Sequence, residues 1–261
     1  MSANDQPARV NVLGVGISEL TLDSATAIIA RALEQRTGGY VCVTGVHGVM
    51  ESQSDAALRD IHNRSFLTTP DGIPMVWLGR LHGFKNIRRV YGPDLMLRIG
   101  ELTQRTGHTH FLFGGAEGVA EELKAVLEKK FPSLRVVGTY TPPFRPLNET
   151  EEAEFVARIQ TLKPAIIWVG LSTPKQEKFM AQLAPKLPGV LLFGVGAAFD
   201  FHTGHTRQAP RWMQRCGLEW FFRLCSEPRR LGKRYLKNNT LFLCYLLRAA
   251  FVKTSRYGWR F

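Results

Sequence analysis

Asp71 stands in the run Pro70-Asp71-Gly72-Ile73-Pro74, directly after an apolar stretch at 66–69 and before a segment in which Pro74 suits a helix start. A carboxylate held at a strand end, beside a helix N-terminus, can take a proton from a bound hydroxyl. A turn or N-cap aspartate is the plainer reading of any Asp-Gly pair. A second run, Ser172-Thr173-Pro174-Lys175-Gln176-Glu177-Lys178, follows an apolar stretch at 165–170. Pro174 fits the first turn of a helix, so Lys175 and Gln176 could meet phosphate or base oxygens; an ordinary capped helix with a solvated face reads the same way. A third, Arg88-Arg89-Val90-Tyr91-Gly92-Pro93-Asp94, puts two arginines before a Gly-Pro helix start. Arg89 could clamp a diphosphate through paired N–H donors, although solvated arginines are common.

Other chemistries find less support. The pairs His108/His110 and His202/His205 lack acids or thiols at metal-ligand spacing, apart from Asp200 near His202, and no HExxH or DxD occurs, so no metal is expected. No GxSxG marks a serine nucleophile. A phosphate leaving group handled without a metal must be stabilised by cations and helix dipoles. Gly14-Val15-Gly16 has no third glycine at dinucleotide-fold spacing, which disfavours a dehydrogenase.

These residues need a scaffold, and the hydrophobic pattern supplies one. Apolar runs at 10–17, 40–46, 109–113, 134–138, 165–170 and 190–195 alternate with helical patterns at 22–36, 50–62, 93–106, 117–130, 149–161 and 174–184. That order predicts an α/β fold with a mostly parallel sheet covered by helices on both faces. Ligands of such sheets bind at the carboxyl ends of the strands. There the runs end in small or polar residues: Gly14-Val15-Gly16, Thr44-Gly45-Val46-His47-Gly48, Gly114-Gly115, Gly170 and Gly194-Val195-Gly196. Each glycine pair is also explained by a tight turn, but the repetition favours a phosphate-bearing ligand.

The 261 residues carry a net charge of +12, unevenly placed. From Arg207 to Phe261 there are 13 cations against two acids, whereas the first 206 residues carry 21 against 20. The predicted division is therefore a catalytic body over 1–206 and a basic helical appendage over 207–261. Helical patterns at 211–225 and 228–237 interleave Trp212, Trp220, Phe221, Phe222 and Tyr235 with arginines and lysines, and an apolar helix follows at 240–252. Such a tail suits an anionic membrane surface, and it also suits nucleic acid, whose phosphates attract cations and whose bases stack on aromatics. Residues 241–252 are too few to span a bilayer, which takes roughly 20 apolar residues. The polar N-terminus carries no secretion signal, and four cysteines without zinc spacing fit buried thiols in a reducing compartment.

Six segments together resemble the WecG/TagA/CpsF family of bacterial glycosyltransferases: residues 69–80 (TPDGIPMVWLGR), 89–96 (RVYGPDLM), 111–115 (FLFGG), 168–180 (WVGLSTPKQEKFM), 194–204 (GVGAAFDFHTG) and 207–239. The resemblance covers about Val10 to Leu243. It implies a Rossmann-like body and an inverting, metal-independent transfer from a UDP-sugar to a polyprenyl-diphosphate-linked sugar, with no cofactor. It places the protein in the cytoplasm, held peripherally at the inner membrane face by its C-terminal appendage. On this resemblance Asp71 is the base, Thr44 touches the sugar or acceptor, Arg89 and Gln176 match binding positions, and Gly114, Gly115, Gly170, Gly194 and Gly196 bring backbone to the nucleotide. Lys175 joins them as a substrate contact. Arg215, Trp220, Arg223, Arg230 and Arg234 would meet the lipid acceptor or the membrane. One position departs: many members have Thr-x-Asn where this chain has Thr44-Gly45-Val46-His47, so either His47 takes the polar role or the acceptor differs. That run resembles the exopolysaccharide β-1,4-glucosyltransferase branch, which implies UDP-glucose. The expected partners are donor, acceptor and anionic membrane, not nucleic acid; self-association is left open.

Overall fold

The computed structural model describes residues 6–251. Its centre is a six-stranded, wholly parallel sheet in the order β4-β3-β8-β7-β5-β6. The strands are β3 (Gly39–Thr44), β4 (Leu67–Pro70), β5 (Thr109–Gly114), β6 (Arg135–Tyr140), β7 (Ile166–Gly170) and β8 (Leu191–Gly194). The central strands β7 and β8 read as continuous apolar runs because both their faces are covered. Trp168, Phe193 and Ile166 pack on one side, Ile167, Val169 and Leu192 on the other. Helices α1 (Leu22–Glu34), α5 (Gly92–Thr106) and α6 (Val119–Lys130) cover the first side; α7 (Glu149–Leu162) and α8 (Lys175–Leu183) cover the second. The Asn148–Glu151 capping box that starts α7 is present, each side chain bonding the other's backbone N–H at 2.9 Å.

Several expectations change: the helix expected over 211–225 is two, parted at Gly217 with φ of 74°, and of the thiols expected to be buried only Cys42 is, Cys216, Cys225 and Cys244 being exposed. The run 10–17 is not a strand of the main sheet but a separate antiparallel hairpin, β1 (Arg9–Val12) and β2 (Val15–Ser18), paired Val10↔Ile17 and Val12↔Val15. Leu13 and Gly14 form its two-residue turn with φ of 51° and 87°, and Asn11 Oδ1 accepts the Gly14 N–H at 2.7 Å. Gly14 and Gly16 therefore serve a turn and a ladder, away from the strand ends. The helical pattern at 50–62 is two helices, α2 (Val46–Ser54) and α3 (Ala56–Arg64), because Asp55 breaks the first and caps the second at Leu58 N–H. The separate helices expected at 228–237 and 240–252 are one continuous α12 (Pro228–Phe251).

The tail is seated on the body. After α9 (Ala198–Thr203) come α10 (Arg211–Arg215), α11 (Glu219–Ser226) and α12. Phe242 of α12 is buried in a third core cluster with the hairpin, Val49 and Met50 of α2, and Met75 and Val76 of α4 (Ile73–Leu81); Leu231 is also buried. Burying Phe242 stabilises the docking by roughly 1.5–3 kcal/mol. No helix among the described residues is long and apolar enough to cross a membrane. Lys253, Arg256 and Arg260 of the basic tail lie outside the described residues.

Candidate active site

A cavity of about 610 Å³ lies at the carboxyl ends of β3, β4, β7 and β8, roofed by α11 and α12. The carboxyl ends of the strands are where open parallel α/β sheets bind their ligands.

Asp71 is placed there by two backbone devices. Its N–H donates to Thr44 O at 2.9 Å, and its carbonyl passes so close to Gly45 that a Cβ there would stand 2.7 Å from it. Gly72 then turns the chain with φ of 90°, and α4 starts with Pro74 in its first turn. The Arg89 segment is laced to the same strand end: Val90 N–H donates to Pro70 O at 2.9 Å and Thr69 Oγ1 donates to Val90 O at 3.3 Å. Val90 points into the core, while its neighbours Arg89 and Tyr91 line the cavity.

Arg89 is the hub. Its guanidinium stacks 4.0 Å over the Tyr91 ring, stands 3.6 Å from Asp71 Oδ1, donates to Gln214 Oε1 at 3.3 Å and makes a tight ion pair with Glu219. Gln214 and Glu219 belong to the tail, so this cluster is also where tail and body are joined. Glu219 holds one guanidinium nitrogen closely, and Asp71 Oδ1 remains buried without a hydrogen-bond partner. Burial pushes the Asp71 carboxyl up to about 6; Arg89 opposes that rise and Glu219 adds to it. The Tyr91 hydroxyl is raised far above its usual range by burial and by the adjoining carboxylates.

His47 faces the same space. Burial and Arg234 hold its pKa below the usual value, against the pull of Glu51, so it is neutral at pH 7. Asn238 Nδ2 of α12 donates to its Nδ1 at 2.8 Å, leaving the proton on Nε2. His47 is thus a neutral imidazole at the cavity, oriented from the tail.

The other sequence candidates divide. Gly170, Gln176, Gly194 and Gly196 line the cavity with Asp71, His47 and Arg89. Gln176 is buried and ties α8 to the loop after β8: its Oε1 accepts the Gly196 N–H at 3.0 Å, while its Nε2 donates to the neighbouring Glu177 Oε1 at 3.0 Å. Its amide therefore shapes the Gly194–Gly196 loop. From the tail, Trp220, Arg223, Arg230 and Arg234 line the cavity; Arg215 does not and is exposed on α10. Thr44 is buried beneath the floor, its Oγ1 without a partner. Lys175 lies outside the lining, 4.5 Å over the Phe144 ring.

Gly114 and Gly115 are also outside the lining, and close packing accounts for both. A Cβ at Gly114 would stand 2.7 Å from Gly170 O, at φ of 116°. One at Gly115 would meet Val119 at 3.1 Å, at φ of 80°. Gly114→Ala is therefore expected to destabilise by about 3 kcal/mol, from backbone overlap and left-handed strain together. Denaturant melts measure that loss, and nucleotide affinity of the folded fraction should stay within about twofold, a change of about 0.4 kcal/mol, because Gly114 does not line the cavity. A large affinity loss with normal stability would return Gly114 to the ligand.

The histidine pairs hold other partners. Buried His110 accepts from Trp168 Nε1 at 2.8 Å and pairs with Thr103 Oγ1 at 2.7 Å, and burial lowers its pKa to about 3. His202 contacts Pro93 O at 3.2 Å, and His205 contacts Glu122 at 2.7 Å. Among the described residues no group of three His, Cys, Asp or Glu is gathered for a metal.

Sequence reading missed Glu219, Gln214, Tyr91 and Asn238 as site residues. All four lie within recognised segments, but only the fold brings the tail residues onto Arg89 and His47.

The site therefore combines a carboxylate of raised pKa, a buried arginine, glycine loops at strand ends and arginines arriving from the C-terminal helices. Sequence comparison matches residues 10–256 to the Glycosyl transferase WecG/TagA/CpsF family, across body and tail alike. The chain belongs to that glycosyltransferase family.

Proposed function

We propose that the protein is an inverting, metal-independent hexosyltransferase. It moves a sugar, glucose or of N-acetylmannosamine type, from a UDP-sugar to a polyprenyl-diphosphate-linked sugar at the cytoplasmic membrane face, in exopolysaccharide or cell-surface polymer synthesis. The observation that carries this reading is Asp71 Oδ1: buried at the cavity, free of hydrogen bonds, on a carboxyl raised to about 6. A base so placed takes the proton of the acceptor hydroxyl as its oxygen bonds to the anomeric carbon; the carbon–oxygen bond to UDP breaks on the opposite face and UDP leaves with the electron pair. Cations at the cavity supply the charge stabilisation. Arg223 and Arg234 line it, and each has a buried Nε without a hydrogen-bond partner. Gly170, Gly194 and Gly196 fit close approach of the donor's phosphates. Residues 1–206 act as the catalytic body and 207–261 as the membrane-docking appendage.

A panel of UDP-sugars with a polyprenyl-diphosphate sugar acceptor tests this. One UDP-hexose should be turned over, with kcat/KM rising with pH and levelling above about 6, because the base must be ionised. Absence of transfer with every donor, together with tight RNA binding at matched salt, would favour the rival reading of a nucleic-acid-binding protein.

A further inference from the structure

The body carries its own apolar–basic face, separate in sequence from the basic tail. On α4, Trp77 and Leu81 are 58% and 74% exposed, with Arg80 exposed beside them. Their spacing puts all three on one helix face, opposite the buried Met75, Val76 and Gly79. A tryptophan and a leucine in water on one helix face are costly unless something covers them.

Along the chain the charge at that face is of one sign, and the acid brought beside it by the fold is Glu19, whose carboxylate accepts the Asn86 N–H at 2.9 Å. Between Asp71 and Asp94 the chain holds Arg80, Lys85, Arg88 and Arg89 and no Asp or Glu. Arg89 turns into the cavity; Arg80, Lys85 and Arg88 are exposed. The α4 face also adjoins the tail: a Cβ at Gly217, in the α10–α11 turn, would stand 3.6 Å from Trp77 Cη2. Trp77 and Trp220 line the same cavity, one from the body and one from the tail.

Accordingly we propose that α4 is a second membrane contact, with Trp77 and Leu81 entering the interfacial layer of an anionic bilayer and Arg80 and Lys85 meeting its headgroups. Amphipathic aromatic and aliphatic side chains favour that layer, and cations add to the attraction of anionic lipid. The cavity mouth then faces the bilayer between α4 and the tail, held on both sides. This rests on the membrane-facing reading proposed above and extends it from the tail to the body.

The test uses the full chain and vesicles of phosphatidylglycerol and phosphatidylcholine in equal parts. Leu81→Glu and, separately, Arg80→Glu should each lower vesicle partitioning, Leu81→Glu by about tenfold or more, the equivalent of one lost apolar anchor. Both positions are exposed, so melting temperatures should not move. Variants that sediment like a vesicle-bound parent overturn the α4 assignment and leave the tail as the anchor. A parent that does not sediment overturns the membrane reading itself. If Leu81→Glu instead dissociates a dimer by light scattering, with partitioning unchanged, the face is covered by a second copy and the proposal fails. Loss of RNA binding without loss of vesicle binding overturns it likewise.

Discussion

Asp71→Asn is expected to lose transfer activity by about 10²–10⁴-fold, the usual worth of a positioned base, while gaining stability at pH 8. Both effects come from one cause. The cavity desolvates the carboxylate more than Arg89 compensates it, because Arg89 is already held by Glu219. A raised folded-state pKa means that the protonated acid is favoured by the fold. Its contribution is fully present below the ordinary aspartate value and is lost as pH rises through about 6. Above that pH the native protein bears the cost of a poorly solvated anion, and the neutral amide removes it. The gain should be roughly 1–3 kcal/mol and should vanish near pH 4, where the native acid is itself protonated. Melting curves of both proteins at pH 4 and pH 8, beside transfer assays, separate the outcomes. UDP binding should persist, since the Arg89–Glu219–Gln214 cluster does not depend on Asp71 for its closest bonds. Undiminished turnover would remove Asp71 as base. A lower melting point at pH 8 would mean that the Arg89 pair outweighs desolvation.

Asp71 was legible in the sequence because a local pattern, apolar run then Pro-Asp-Gly-Ile-Pro, forces a strand end followed by a helix start. The same logic placed the central strands, whose apolar runs have one physical explanation once both faces are covered. It failed at residues 10–17, where eight nearly continuous apolar residues hide a hairpin turn at Leu13-Gly14. Periodicity cannot show that a chain reverses inside an apolar run. Glycines were ambiguous for a related reason. Gly196 takes φ of 52° beside the ligand crevice, whereas Gly114 takes φ of 116° against another strand's carbonyl, and both read simply as glycine after an apolar strand. The tail's chemistry was the least legible. Glu219 counted as one of two acids among thirteen cations. Its partner Arg89 lies 130 positions away, and only the tertiary path of α10 and α11 brings them together. The same holds for Asn238 and His47, 191 positions apart.

That long-range pair makes the second large prediction. Arg89 and Glu219 are each only 15% exposed, and Arg89 also faces Asp71. Arg89→Met would leave two carboxylates in a desolvated site with no cation between them, costing about 3–5 kcal/mol at neutral pH. The loss should shrink in acid, as the carboxylates take up protons. Because Glu219 and Gln214 are the tail's grip on the body here, limited proteolysis between Arg207 and Leu218 should also quicken. Adding Glu219→Gln to Arg89→Met removes one stranded charge and should recover most of the lost stability. Transfer should not recover with it. If Arg89 faces the diphosphate, its loss removes charge stabilisation worth roughly 10²–10³-fold, and a refolded junction cannot supply that. The double variant therefore separates two roles that the single variant confounds. Recovery of both stability and transfer would show that Arg89 only fastens the tail. Recovery of stability alone would establish the same guanidinium as fastener and substrate contact, so that tail docking and charge stabilisation are set by one side chain.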